Sequence, residues 1–278
     1  MKDGYICGVK KKKPTILQDV LVEDYAAEGK SLAKVEGKVV FIENTVPGDV
    51  VDVFLFKNKK DWAEGWPLHF KSYASQRVQP FCSHFGTCGG CQWQMLPYAK
   101  QLEYKQQEAE QNLRRIGKLA LPEMLPIIGA DDDKYYRNKL EFTFSNKRYL
   151  LLGEMDNPDV LQQGALGFHV PRLFDKIIDI EECYLMDGVN NSIRNTIREF
   201  ALLNNYSFYD VREHTGWLRN IVIRYCTTGE LMVNVIFNYE DETERKNLLQ
   251  HVLEQVPAIT TLLFTINPKW NDTIYDLT

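Results

Sequence analysis

The hydrophobic pattern changes period along the chain. From residue 15 to 76, β-branched and aromatic residues alternate with polar ones in short runs: Ala33 to Val35, Val39 to Ile42, Val50 to Phe56 and Trp62 to Leu68. Breaks at Gly37, at Pro47-Gly48 and at Lys57 to Lys60 predict a small antiparallel barrel of the OB kind. Residues 77–96 fit neither period and read as a Cys- and Gly-rich loop. Pro97 then opens a helix from Tyr98 to Ile116, closed by Gly117, with Leu102, Ala109, Leu113 and Ile116 on one side.

Strand patterns return after Tyr135, at Lys139 to Phe144, Ala165 to His169, Lys176 to Ile180, Arg219 to Cys226, Leu231 to Phe237 and Thr260 to Ile266. Thr227 to Glu230 joins two of these as a hairpin. Asp187 caps a helix that buries Val189, Ile193, Ile197 and Phe200, and Glu242 to Val256 forms another. The expected fold class is α+β, an OB-like barrel followed by a mixed domain of antiparallel sheet and helices. The expected boundaries are a basic tail (1–14), the barrel (15–76), the Cys-rich loop (77–96), the helical segment (97–126), the central domain (127–262) and the start of a link (263–278).

Composition narrows the class. With 44% hydrophobic and 26% charged residues in 278, disorder, collagen and coiled coil are excluded. No apolar run approaches the ~18 residues of a membrane span, and the N-terminus lacks the apolar stretch of a secretory signal, so a cytoplasmic protein is expected. A net charge of -5 restricts any nucleic-acid contact to local basic runs such as Lys10 to Lys13 and Lys57 to Lys60.

Six cysteines are too few for a disulfide scaffold, yet Cys82, Cys88 and Cys91 fall close together in a loop with Gly86, Gly89 and Gly90. Such spacing in a reducing compartment points to a metal. Three thiolates need a fourth ligand: Cys183, at the end of a predicted strand, is the best candidate, and His84 inside the loop is the other. Zinc and a four-iron cluster both use four thiolates, so ligand count does not separate them. Cys226, at a strand end, reads as a buried structural thiol and Cys7 lies in the tail.

These residues resemble the uracil-5 RNA methyltransferase family, in particular its iron-sulfur branch that modifies bacterial 23S rRNA. Asp24 to Ala33, Gly37 to Ile42 and Val46 to Asp49 resemble a TRAM domain, an RNA-binding barrel. Ser75 to Cys82 leading into Cys88-Gly89-Gly90-Cys91-Gln92-Trp93-Gln94 continues the likeness. So do Tyr136-Arg137-Asn138-Lys139, Leu166-Gly167-Phe168-His169 and His214 to Arg219. The resemblance implies that Cys82, Cys88, Cys91 and Cys183 ligate a [4Fe-4S] cluster, that S-adenosylmethionine is the methyl donor, and that segment 97–126 packs on a methyltransferase domain. It also implies a C-terminal Rossmann-like domain carrying the donor site, a catalytic cysteine and a base. No Gly-rich turn after a strand is present, so the expectation is a C-terminally truncated chain that lacks that domain and is inactive alone.

The expected function is the RNA-binding and cluster-carrying part of an S-adenosylmethionine-dependent 23S rRNA (uracil-C5) methyltransferase, a monomer with ribosomal RNA as partner. The alternative is a stand-alone RNA-binding module with a structural zinc site. Lys57, Lys59 and Lys60 supply charge beside the aromatics Phe41, Phe54, Phe56, Trp62 and Trp66, as barrels that bind single strands do. The bland reading makes these aromatics core and the lysines a solvated hairpin tip. In the central domain Arg137, Lys139, His169, Arg172, Arg212, His214 and Arg219 form a basic set suited to splayed bases and phosphate.

Overall fold

A computed structural model describes residues 15–161 and 163–273. The basic tail, with Cys7 and Lys10 to Lys13, lies outside the described residues, as do the last five positions. The chain divides into two compact units, Met1–Pro80 with Gln92–Gly129, and Phe81–Cys91 with Ala130–Thr278.

The first unit is built on β1 (Thr15–Leu21), β2 (Asp24–Tyr25), β3 (Ser31–Val35), β4 (Lys38–Ile42), β5 (Val50–Asn58) and β6 (Trp62–Ser72), ordered β1-β5-β6-β4-β3-β2. Val20 of β1 and Ala33 of β3 are far apart in that order. Both enter one buried cluster with Val40, Ile42, Val51, Val53 and Ala63, so the sheet curls around its own core. The expected barrel strands are present but not all antiparallel, because β4 and β6 pair in parallel. The first strand, Thr15–Leu21, is an addition that a broken alternation concealed. Asp19 sits at φ 53, and the β1–β5 register shifts between Leu17 and Val20, which moves side chains to the other face midway.

Asp49, fully buried, ties the barrel to the chain that leaves it. Its carboxylate accepts both Nε and Nη2 of Arg77 at 2.9 and 2.8 Å, with the N–H groups of Val46 and Ala74. Helix α1 (Tyr98–Gln111) continues as one π turn, Asn112–Ile116. Tyr104 of α1 lies 3.9 Å from the Tyr25 ring, and Gln106 bonds the backbone of Leu125 and Ile127. No residue of α1 is fully buried, and Ile116 is 78% exposed.

The second unit holds β7 (Lys139–Ser145), the short α2 (Pro158–Leu161), β8 (Ala165–Val170), β9 (Leu173–Asp179), α3 (Val189–Leu203), β10 (Leu218–Tyr225), β11 (Leu231–Phe237), α4 (Glu242–Gln255) and β12 (Thr261–Ile266). The strands order β12-β11-β10-β7-β8-β9. Every pair is antiparallel except β11 and β12, which run parallel with α4 as the crossover. This parallel edge corrects the expected antiparallel sheet; local patterning reports strands but not their direction of pairing. Ile193, Ile197 and Ala201 of α3 and Leu248 and Val252 of α4 pack on Phe142, Leu166, Ile221, Val233 and Val235 of the sheet. The N-cap of α3 is Gly188 rather than the expected Asp187, which stands one residue earlier and accepts the Val189 N–H on its Oδ1 at 3.0 Å. No described helix is long and apolar enough to cross a membrane.

Candidate cluster site and RNA-facing surface

The cysteine loop belongs to the second unit, and it is tight for reasons that need its glycines. The Phe85 N–H donates to the Cys82 carbonyl, and the Thr87 and Cys88 N–H groups to that of His84. Gly86 then takes φ 88, open to glycine. The Gly89 N–H donates to the His169 carbonyl of β8 at 3.1 Å. A Cβ at Gly89 would stand 2.8 Å from that oxygen, so only glycine lets the loop lie on the strand. The Gly90 N–H points at Cys88 Sγ, 3.3 Å away.

Cys183 reaches the same place from the segment between β9 and α3. Its N–H donates to Asn191 Oδ1 at 2.8 Å and its carbonyl accepts from Asn190 Nδ2. Arg194 of α3 is wholly buried. It donates to the carbonyls of Ile180 and Glu181 and to Asn190 and Asn191, fixing the turn that presents Cys183. Burial pushes the Cys88 thiol up to about 12, and the nearby Cys91, Cys183 and Cys82 push the same way. Burial likewise raises Cys183, while the Gly90 N–H on Cys88 and the Arg194 charge near Cys183 act in the opposite direction.

Four cysteines thus share one half-buried neighbourhood as thiols, with Cys88, Cys91 and Cys183 against the hydrophobic core. Among the described residues no three His, Cys, Asp or Glu side chains converge as closely as a single ion needs. Cysteine thiols in an apolar setting are the donor type that a four-iron cluster takes. His84 is held differently: its Nε2 accepts the Glu181 N–H at 3.4 Å, and burial, then the Arg194 charge, lowers its pKa.

A cavity of about 350 Å³ adjoins the loop, lined by Gly89, Gly90, Arg137, Lys139, Glu141 and Phe168 among others. It brings two of the predicted RNA contacts, Arg137 and Lys139, to the cysteine loop. Arg137 is exposed and anchored through its N–H to the Leu185 carbonyl, while Lys139 pairs with Glu141 at 3.3 Å. His169 and Arg172 are exposed on β8 and the turn after it, Arg172 at φ 66. Lys59 and Lys60 stand exposed at a hairpin tip, and Lys57 lies over the Trp62 ring and 3.8 Å from Glu64. Arg212 bonds Asp175 at 2.6 Å, and His214 stacks on Trp270.

Arg219 differs from the rest of the basic set. It is 2% exposed, and its guanidinium donates to the carbonyls of Asn267, Lys269 and Asn271 and to Asp272. It organises its own chain, so its side chain does not face RNA. Sequence reasoning missed Arg194 and Trp270. The polar run Asn190-Asn191-Arg194-Asn195 beside the apolar stripe of α3 was the available signal for the first.

Residues 16–68 match the TRAM domain. An uncharacterized RNA methyltransferase of Bacteroides thetaiotaomicron is 50% identical over 257 residues, covering 91% of this chain and 56% of that protein. The chain is similar to RNA methyltransferases. Another, from Porphyromonas gingivalis, is 44% identical over 92% of this chain and 56% of its own length. The fold resembles that of the Pyrococcus abyssi tRNA (uracil-54, C5)-methyltransferase in complex with S-adenosyl-L-homocysteine. Its TM-score is 0.60 at 20% identity, over 93% of this chain and 53% of that one. The chain spans about half the length of these relatives.

These matches correct two expectations. RNA methyltransferases align over 91% of the chain, and the fold of a methyltransferase solved with its cofactor product covers 93% of it. The fold class with an absent Rossmann-like domain and the inactive, truncated enzyme are therefore withdrawn, and with them the assignment of S-adenosylmethionine to a missing domain. The missing Gly-rich turn reports one kind of cofactor loop and is no measure of activity. A free-standing zinc module finds no support in these relatives.

Proposed function

We propose that the protein is an S-adenosylmethionine-dependent RNA methyltransferase acting on uracil C5, with 23S rRNA as its RNA. Cys82, Cys88, Cys91 and Cys183 hold a [4Fe-4S] cluster in this reading. The observation that carries it is the cysteine loop packed with Cys183 against one core, its Gly89 and Gly90 lining a cavity with Arg137 and Lys139. The TRAM match and the methyltransferase relatives support RNA as partner and methyl transfer as chemistry.

When bound, the cluster supplies a covalent cross-link between the glycine-rich loop and the segment before α3. Arg194 and Asn191 hold Cys183 in place for it. The Gly89 and Gly90 backbone forms one wall of the cavity, and Arg137 and Lys139 supply its positive charge for phosphate or base edges of an unstacked strand. Lys57, Lys59 and Lys60 add phosphate contacts from the barrel, with Arg172 and His169 on the second unit. The methyl group comes from S-adenosylmethionine. A target uracil has to leave its stack before C5 is accessible, and in the second unit Arg137 and Lys139 hold the flanking strand.

The test is nucleoside mass spectrometry of separated 23S rRNA and tRNA from cells with and without the gene. Loss of 5-methyluridine from 23S rRNA is the expected result. Loss from tRNA alone overturns the rRNA assignment, and no loss in either overturns the uracil-C5 reading.

A further inference from the structure

Beyond the cysteine loop, the second unit carries an aromatic pair outside the cavity described above. Trp270 is 78% exposed. One face of its indole is covered by the His214 imidazole, with ring centroids 4.5 Å apart and planes within 1° of parallel. That is the parallel geometry of successive bases in a nucleic-acid stack, and most of the indole surface remains exposed.

Both rings are held firmly. The loop after β12 wraps the buried Arg219 guanidinium with the carbonyls of Asn267, Lys269 and Asn271. Asn267, itself 2% exposed, closes the loop by donating to the Asn271 carbonyl and accepting the Lys269 N–H. His214 takes the left-handed φ of 56. Its Nδ1 lies 3.1 Å from the Tyr209 hydroxyl, and the Tyr209 ring lies under the Arg219 guanidinium at 4.3 Å. A large ring presented to water by a loop built around a buried charge is preorganised for a ligand rather than left over from the core.

The surroundings decide which ligand. The sequence neighbours of the two rings are polar and exposed or half-exposed, Glu213 and Thr215 beside His214 and Lys269 and Asn271 beside Trp270, so hydrogen-bonding groups stand next to the flat ring. A nucleobase needs only one flat ring and nearby hydrogen-bonding groups.

We propose that Trp270, backed by His214, is a stacking platform for one unstacked base of the RNA. This rests on the RNA-binding reading above. The test measures binding of the full-length protein to fluorescein-labelled oligoadenylate and to an abasic oligonucleotide of equal length. Trp270→Ala is expected to weaken oligoadenylate binding by roughly 5- to 150-fold, to leave the abasic probe unchanged, and to leave the melting temperature unchanged. Trp270→Phe keeps most of the affinity. Equal losses on both probes, no loss on oligoadenylate, or a lower melting temperature with intact affinity each overturn the platform while RNA binding stands. If the wild-type protein binds neither probe, the RNA-binding reading itself falls.

Discussion

Asp210 sits beneath the turn that carries His214. Its carboxylate accepts Asn146 Nδ2 at 2.9 Å, Lys147 Nζ at 3.0 Å and the N–H groups of Arg212 and Glu213. Burial pushes this carboxyl up, but the bonds from Asn146, Lys147 and the two N–H groups outweigh it and hold the pKa well below the ordinary 3.8. A depressed folded-state pKa gives stability that is fully present above the unfolded value and fades as pH falls below it. Asp210→Asn should therefore lower the melting temperature at pH 7, and the gap to wild type should narrow as the pH falls below 3.8; a gap constant across thermal melts from neutral to acid pH would contradict this. Arg219 shows what residue-scale reading does not reach. Its motif marks it as a basic residue for RNA, but it lies on β10, in the interior of the sheet, where Leu218 to Ile223 are buried on both faces. Identity alone does not tell a guanidinium aimed at solvent from one that gathers carbonyls.

The cysteine loop and the segment before α3 are the elements on which the site depends. The three loop cysteines and their glycines were legible because tight turns and thiol spacing are local properties. The choice of Cys183 over His84 came from strand-end position and resemblance. In the structure Cys183 packs in the core and His84 accepts the Glu181 N–H. On the proposed cluster reading, Cys183→Ala in anaerobically purified protein should lose most of the iron and the absorbance that the wild type carries. Cys226, expected to be buried at its strand end, is exposed where β10 gives way to the turn, so Cys226→Ala should keep both; full iron in Cys183→Ala would show that the proposed fourth ligand lies elsewhere. Helices α3 and α4 and most strands were visible from period. The parallel pairings β4–β6 and β11–β12 were not, since direction is set by crossovers and side-chain fit across distant segments. Likewise, the apolar side of α1 predicts burial that Leu113 and Ile116 do not show, with 40% and 78% exposed.

At the scale of the molecule, one unit matches the TRAM domain over residues 16–68, and the other holds four cysteines, a cavity lined by Arg137 and Lys139, and an aromatic pair. Basic positions are local on a chain whose net charge is -5, and in the proposed function this favours one RNA region over indiscriminate coating of phosphate. The central claim is methyl transfer to uracil C5. Its most direct test incubates the full-length protein and S-adenosylmethionine with 23S rRNA carrying tritium at uracil C5. Replacing the C5 hydrogen by a methyl group expels that tritium into water, so release in step with methyl incorporation is the predicted result. Methylation of the RNA with the tritium fully retained would contradict it.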